Sequence, residues 1–149
     1  MALNLEYAGR SYPPGEAYEI GLEKVREFAA AVGEEHPAHH DPAAAAALGH
    51  PGVLAPPTFA FSIAMAAMAP VLADPGLGLD YSRVVHGDQR FRYVRPLRAG
   101  DRVRASATLE SLRTVAGNDM VTVRCDIADE SGAPVVTTWT VLVARGEQP

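Results

Sequence analysis

Between Gly33 and Asp41 the chain reads GEEHPAHHD, which sets two glutamates, three histidines and an aspartate within nine residues. Glutamate and histidine, with reference pKa values of about 4.3 and 6.5, can each accept a proton at pH 7, so the stretch suits a general acid/base pair. His36, His39, His40 and Asp41 are also zinc-ligand types. Pro37, however, interrupts the helical spacing that would align His36 with His39, and HPAHH fits no standard zinc pattern, so no metal is expected. The third reading is a polar cluster decorating a helix end.

Other residues can also carry chemistry. His86 in VVHGDQRF has Asp88 and Gln89 beside it and either faces a pocket or sits on a sheet surface. Ser62, in the apolar run FAFSIAMAAMAPVLA, either contacts a bound carbonyl or carboxylate or bonds back to its own helix. Residues 90–104, RFRYVRPLRAGDRVR, hold six arginines against one aspartate. Strand alternation puts Arg90 and Arg92 on one face, and RPLRAGDR reads as the following turn, so Arg95 and Arg98 belong there. These four guanidinium groups would grip phosphates or an acidic protein surface, or else form a solvated rim. Cys125 is the only cysteine, which excludes an internal disulfide, and within VTVRCDIAD it reads as a small core residue.

The elements that position these groups follow from periodicity. In LEKVREFAAAVGEE, Leu22, Val25, Phe28, Ala29 and Val32 share one helical face, and Gly33 is a stop. In HHDPAAAAALG, Asp41 caps, Pro42 takes the first helical position and Gly49 terminates. After Pro56-Pro57, Thr58 is expected to cap a helix that is apolar nearly all round and must therefore be enclosed. From about Tyr81 the pattern changes to period two, in VRASATLESL, MVTVRCDIAD and VVTTWTVLVAR, with turns at AGND and DESGAP. Three or four long antiparallel strands then curve around the apolar helix, an α+β architecture.

With 149 residues, 48% hydrophobic and 21% charged, the chain is expected to be one domain spanning residues 1–149. Its net charge of −5 argues against general nucleic-acid binding, which needs cations to displace counterions. The apolar run from Phe59 to Ala73 is shorter than the roughly 18 to 20 residues that cross a bilayer. The start, MALNLEYAGRSYPP, lacks a basic stretch followed by an apolar one, so no secretory signal and a cytoplasmic location are expected.

These residues together resemble the single-domain hot-dog proteins of the MaoC type, which include (R)-specific enoyl-CoA hydratases and 3-hydroxyacyl-ACP dehydratases. The segment from Tyr18 to Phe59 looks like the front half of the fatty-acid-synthase-like dehydratase branch, and VVHGDQRFRYVRPLRAGDRV like its middle strand and turn. The family's hydratase motif runs roughly Gly-Asp-x-Asn-Pro-Leu-His-x-Asp. Gly33, Pro37, His39 and Asp41 match it, Glu34 stands where the aspartate would be, and His36 takes the asparagine position.

The resemblance implies a hot-dog domain, a curved antiparallel sheet wrapped around a central apolar helix. It also implies cofactor-free hydration or dehydration of an acyl thioester on coenzyme A or an acyl carrier protein. Glu34 and His39 would be the acid/base pair. The thioester oxygen would be held by an N–H at the start of the central helix. Pro57 has no N–H, so Thr58 or Phe59 would donate, with Ser62 and His86 as secondary contacts. Arg90, Arg92, Arg95 and Arg98 would meet the carrier. A homodimer, or a heterodimer with another hot-dog subunit, would join sheets edge to edge with active sites at the seam. The departures at Glu34, His36 and Pro57 keep open a non-catalytic subunit that shapes the acyl site. A hot-dog thioesterase ranks last, since fold alone does not fix chemistry.

Overall fold

The computed structural model describes residues 2–146; Met1 and residues 147–149, the ends of the expected 1–149 domain, lie outside them. Strands β1 (Tyr18–Glu19), β2 (Val84–Tyr93), β3 (Arg102–Val115), β4 (Asn118–Asp129) and β5 (Pro134–Ala144) form one antiparallel sheet in the order β1-β3-β4-β5-β2. The sheet curls around the helix α3 (Ala60–Leu72), as the α+β hot-dog expectation requires. Two smaller helices, α1 (Leu22–Ala31) and α2 (Pro42–Ala47), precede it.

Alternation decides which side of each strand faces α3. Val103, Ala105, Ala107 and Leu109 on β3, Val121, Val123, Cys125 and Ile127 on β4, and Val136, Thr138, Thr140 and Leu142 on β5 are all buried. A bulge between Leu109 and Ser111 resets the phase, so Leu112 also points inward. Facing them, Phe59, Ala60, Ile63, Ala64, Met68 and Val71 close the core. Burial of a side chain the size of Phe59 contributes about 1.5–3 kcal/mol. The β3–β4 hairpin turns through Ala116 and Gly117, both left-handed (φ 49 and 79).

Three local expectations are corrected. The apolar character of α3 does not enclose it: Ser62, Ala66, Ala69 and Pro70 form an exposed stripe, because the sheet covers only the opposite side. Thr58 caps nothing; a 3₁₀ turn over Pro57–Phe59 leads into α3, and no side-chain cap is made. Val32 is 53% exposed rather than packed, because α1 ends at Ala31 and the backbone reverses at Gly33 (φ +74). The other caps form as read: the Ala43 N–H donates to Asp41 Oδ1 (2.9 Å), and Gly49 is left-handed (φ +85).

Candidate active site

The acid/base stretch is held by its own backbone. Past Gly33, the Glu34 N–H donates to Ala29 O (2.8 Å), closing α1. The Ala38 N–H donates to His36 Nδ1 (3.1 Å), which caps a 3₁₀ turn over Pro37–His39. Buried Ala38 accepts at its carbonyl from the Leu54 N–H (2.9 Å), tying this turn to the segment before α3. The edge-on stack of Phe28 on Phe59, 5.2 Å between centroids, fixes α1 against the opening of α3.

Each histidine has a different task. His39 donates from Nδ1 to Leu54 O (2.7 Å), so in the neutral ring the lone pair is on Nε2, where a proton can be accepted. His40 donates from Nε2 to Glu34 O (2.7 Å), and its own carbonyl accepts from Arg26 Nε (2.9 Å). Asp41 is used as a cap, and His36 is exposed. Glu34 is half-buried, and among the described residues its carboxylate has no hydrogen bond or ion pair, to His39 or to any other group. The structure therefore brings the Glu34 backbone and the His39–His40 pair together without joining the two expected catalytic side chains directly.

The opening of α3 offers one free donor. Pro56 and Pro57 have no N–H, and the Phe59 N–H donates to Pro56 O (2.8 Å). The exposed Thr58 N–H has no hydrogen bond among the described residues. Of the two expected donors, Thr58 is thus available and Phe59 is spent. Pro57 O accepts from the Tyr93 hydroxyl, whose burial pushes its pKa up to about 12, so this phenol stays a donor. Ser62 donates to Phe59 O (2.6 Å), bonded back to its own helix, while lining a cavity.

That cavity, about 510 Å³, runs between α3 and β3 under the N-terminal segment, with Tyr18, Lys24, Ser62, Ile63, Ala66 and Val103 in its wall. Neither Glu34 nor His39 lines it. The sequence reading missed the contribution of Tyr18 and Lys24. Tyr18 lies in a stretch without sustained periodicity, which is pinned along β3 by β1 and by backbone bonds from Tyr12 to Ala107 O and from Gly15 to Ala105 O, while Lys24 is an exposed residue of α1 off its apolar face.

The arginines do not gather. Arg90 and Arg92 lie on the convex face, flanking Trp139 at 5.2 and 5.3 Å from the ring centre. Arg95 and Arg98 converge instead on Asp101, with Arg95 Nη1 donating to Oδ2 (2.8 Å) and the Arg98 N–H to the same oxygen (3.0 Å). His86 is exposed on β2 and stacks on Phe61, 5.1 Å between centroids. Cys125 is buried in the core, and burial pushes its thiol up to about 12. Among the described residues, no helix is long and apolar enough to cross a membrane.

Comparison with known proteins adds three results. The family model described as FAS1-like, dehydratase domain region, matches residues 6–138. A UPF0336 protein of Streptomyces coelicolor is 57% identical over 148 residues, covering 99% of both chains. Among solved structures, a MaoC-like dehydratase superposes with a TM-score of 0.89 at 38% identity over 96% of this chain, which spans only 44% of that longer one. The C-terminally truncated HadBC (3R-hydroxyacyl-ACP dehydratase) complex from Mycobacterium tuberculosis matches with a TM-score of 0.84 at 31% identity, covering 92% of this chain and 96% of that one.

Proposed function

The chain belongs to the FAS1-like dehydratase family, with a MaoC-like hot-dog fold, and from that premise we propose that it serves as one of two paired hot-dog units in an (R)-specific 3-hydroxyacyl-thioester dehydratase or enoyl-thioester hydratase. The observation that carries this reading is the Nδ1 bond from His39 to Leu54 O, which aims a proton-accepting Nε2 from the segment leading into α3. In hydration, His39 Nε2 takes a proton from water as the water oxygen bonds to C3 of a trans-2-enoyl thioester. The electron pair of the double bond moves through C2 toward the thioester oxygen, where the Thr58 N–H stabilises the enolate. Glu34 or the protonated imidazole returns a proton to C2; dehydration is the reverse. The acyl chain lies along the exposed, small-residue flank of α3, and the sheets of the two units meet at β2, the sheet edge.

A second reading has specific support: the chain holds the acyl group while its partner unit supplies the acid/base pair. Glu34 is a methylene longer than the motif's aspartate and makes no hydrogen bond to His39 among the described residues, and a misplacement of about 1 Å can cost on the order of a hundredfold. The match of this chain to 44% of a longer MaoC-like dehydratase is also what one unit of two would give.

Hydration of crotonyl-CoA and of a longer trans-2-enoyl-CoA, followed by loss of enoyl absorbance, tests both readings. The protein is assayed alone and mixed with a second hot-dog chain of the same host, with Glu34→Gln and His39→Ala proteins alongside. Loss of activity in both variants supports the acid/base role. Full activity of both variants in the mixture transfers that role to the partner. No turnover or binding of any acyl thioester in either setting overturns the proposal.

A further inference from the structure

Strand β2 carries a polar group that the scheme above leaves unused. Strict alternation would put His86 and Gln89 on opposite faces. A bulge at Gly87 shifts the register between His86 and Asp88, so His86 pairs with Leu142 and Gln89 with Thr140, both on the face toward α3. The Thr140 hydroxyl donates to Gln89 Oε1 (2.8 Å). His86 Nε2 lies 3.2 Å from the same oxygen and from Asp88 O; both accept, so Nε2 carries the proton. The amide oxygen of Gln89 is thus doubly satisfied. Its Nε2, shielded from solvent, has no partner among the described residues. A buried donor without an acceptor is costly, and its retention asks for a ligand atom.

The surroundings indicate which atom. β2 runs antiparallel to α3: Tyr93 bonds Pro57 O, and His86 stacks on Phe61 one turn further along. Along β2, Gln89 lies between these two positions on the face toward α3, and the free Thr58 N–H sits in the 3₁₀ turn just ahead of that helix. From Phe61 the same helix stripe continues through Met65, Ala69 and Leu72, which with Ala73 and Tyr81 line an apolar groove of about 380 Å³. A buried donor on the strand face toward α3, with an apolar groove further along the same helix, fits a ligand with a neutral carbonyl at one end and an alkyl chain at the other.

We infer that Gln89 Nε2 donates to the carbonyl oxygen of the bound acyl thioester, with His86 and Thr140 as positioning residues that lock the amide in that orientation. This rests on the acyl-thioester reading and adds a substrate-contacting residue to it.

The test compares calorimetric binding of butyryl-CoA with that of S-butyl-CoA, a thioether that lacks only the carbonyl oxygen, using the full chain and its Gln89→Met and Gln89→Glu variants. The folded state of each is checked by thermal melting. Wild type is expected to prefer the thioester, with Gln89 contributing about tenfold of that preference, the worth of one hydrogen bond, beside the contribution of the Thr58 N–H. Gln89→Met should lower the ratio about tenfold, and Gln89→Glu, with an oxygen facing the carbonyl, should lower it further. An unchanged preference in either folded variant overturns the inference while leaving acyl-thioester binding intact. Failure of wild type to bind either ligand overturns both.

Discussion

The imidazole Nδ1 of His39 is 2.7 Å from the carbonyl oxygen of Leu54, just ahead of the two prolines that open α3. Because the acceptor is a backbone atom, the ring orientation survives changes to the Leu54 side chain. His39→Ala should lower kcat for enoyl-thioester hydration by about 10²–10⁴-fold. Leu54→Val, which keeps the carbonyl, should leave kcat within a few-fold of wild type. Steady-state assays of both proteins check the contrast.

Asp101 is the hub of the β2–β3 connection, accepting from the Arg95 guanidinium and the Arg98 backbone N–H and pairing with the Arg98 guanidinium at 3.8 Å. Its carboxylate is 10% exposed and the Arg95 side chain 26%. Asp101→Asn should therefore destabilise the protein by about 2–3 kcal/mol, somewhat less than loss of one partner in a fully buried pair. Arg90→Ala or Arg92→Ala, each removing an exposed guanidinium from beside Trp139, should cost no more than about 1 kcal/mol. Urea unfolding of the three variants gives the comparison.

Cys125 should not react with a thiol reagent in the native protein. Its sulfur contacts Ala64 O beneath α3, and its pKa of about 12 leaves almost no thiolate at pH 8. Labelling with a disulfide reagent should proceed at the rate of unfolding and become fast in denaturant.

Tyr93 and Cys125 set the alkaline limit. Burial raises each to about 12 in the folded chain, from ordinary values of 10.0 and 9.0. The unfolded chain releases these protons first, so their stabilisation is complete below pH 9, declines from there upward, and is lost as pH rises through 12. The melting temperature should fall across that window, and a Tyr93→Phe protein should lose less of it.

Ala116 occupies a left-handed position (φ 49) that glycine and asparagine adopt more readily. Ala116→Asn should stabilise the β3–β4 hairpin by about 0.5–1 kcal/mol, read as a higher urea midpoint at unchanged slope.

The hot-dog architecture was legible because its signals are local. Period-two alternation marked β3, β4 and β5, the Asp41-Pro42 pair started α2, and the apolar run marked α3. What escaped were properties of the assembled chain. Thr58 looked like a cap, but two prolines ahead of it impose a 3₁₀ entry that leaves its hydroxyl out of the helix. The arginine run looked like one patch, but strand alternation sends Arg90 and Arg92 to the convex face, while Asp101, the run's only acid, draws in Arg95 and Arg98. The bond from His39 to Leu54 spans fifteen positions and had no signature in the spacing of either segment.

The bulge at Gly87 makes the first residues of β2 sensitive to counting. Deleting Gly87 would leave every chemical group of the strand in place yet invert the sidedness of everything before it. Val84 and His86 would turn outward and Val85 inward, and Phe61 would lose its stacked ring. At this position the chain encodes orientation by its length rather than by its letters, so a single-residue deletion there should be harsher than any substitution that preserves the count.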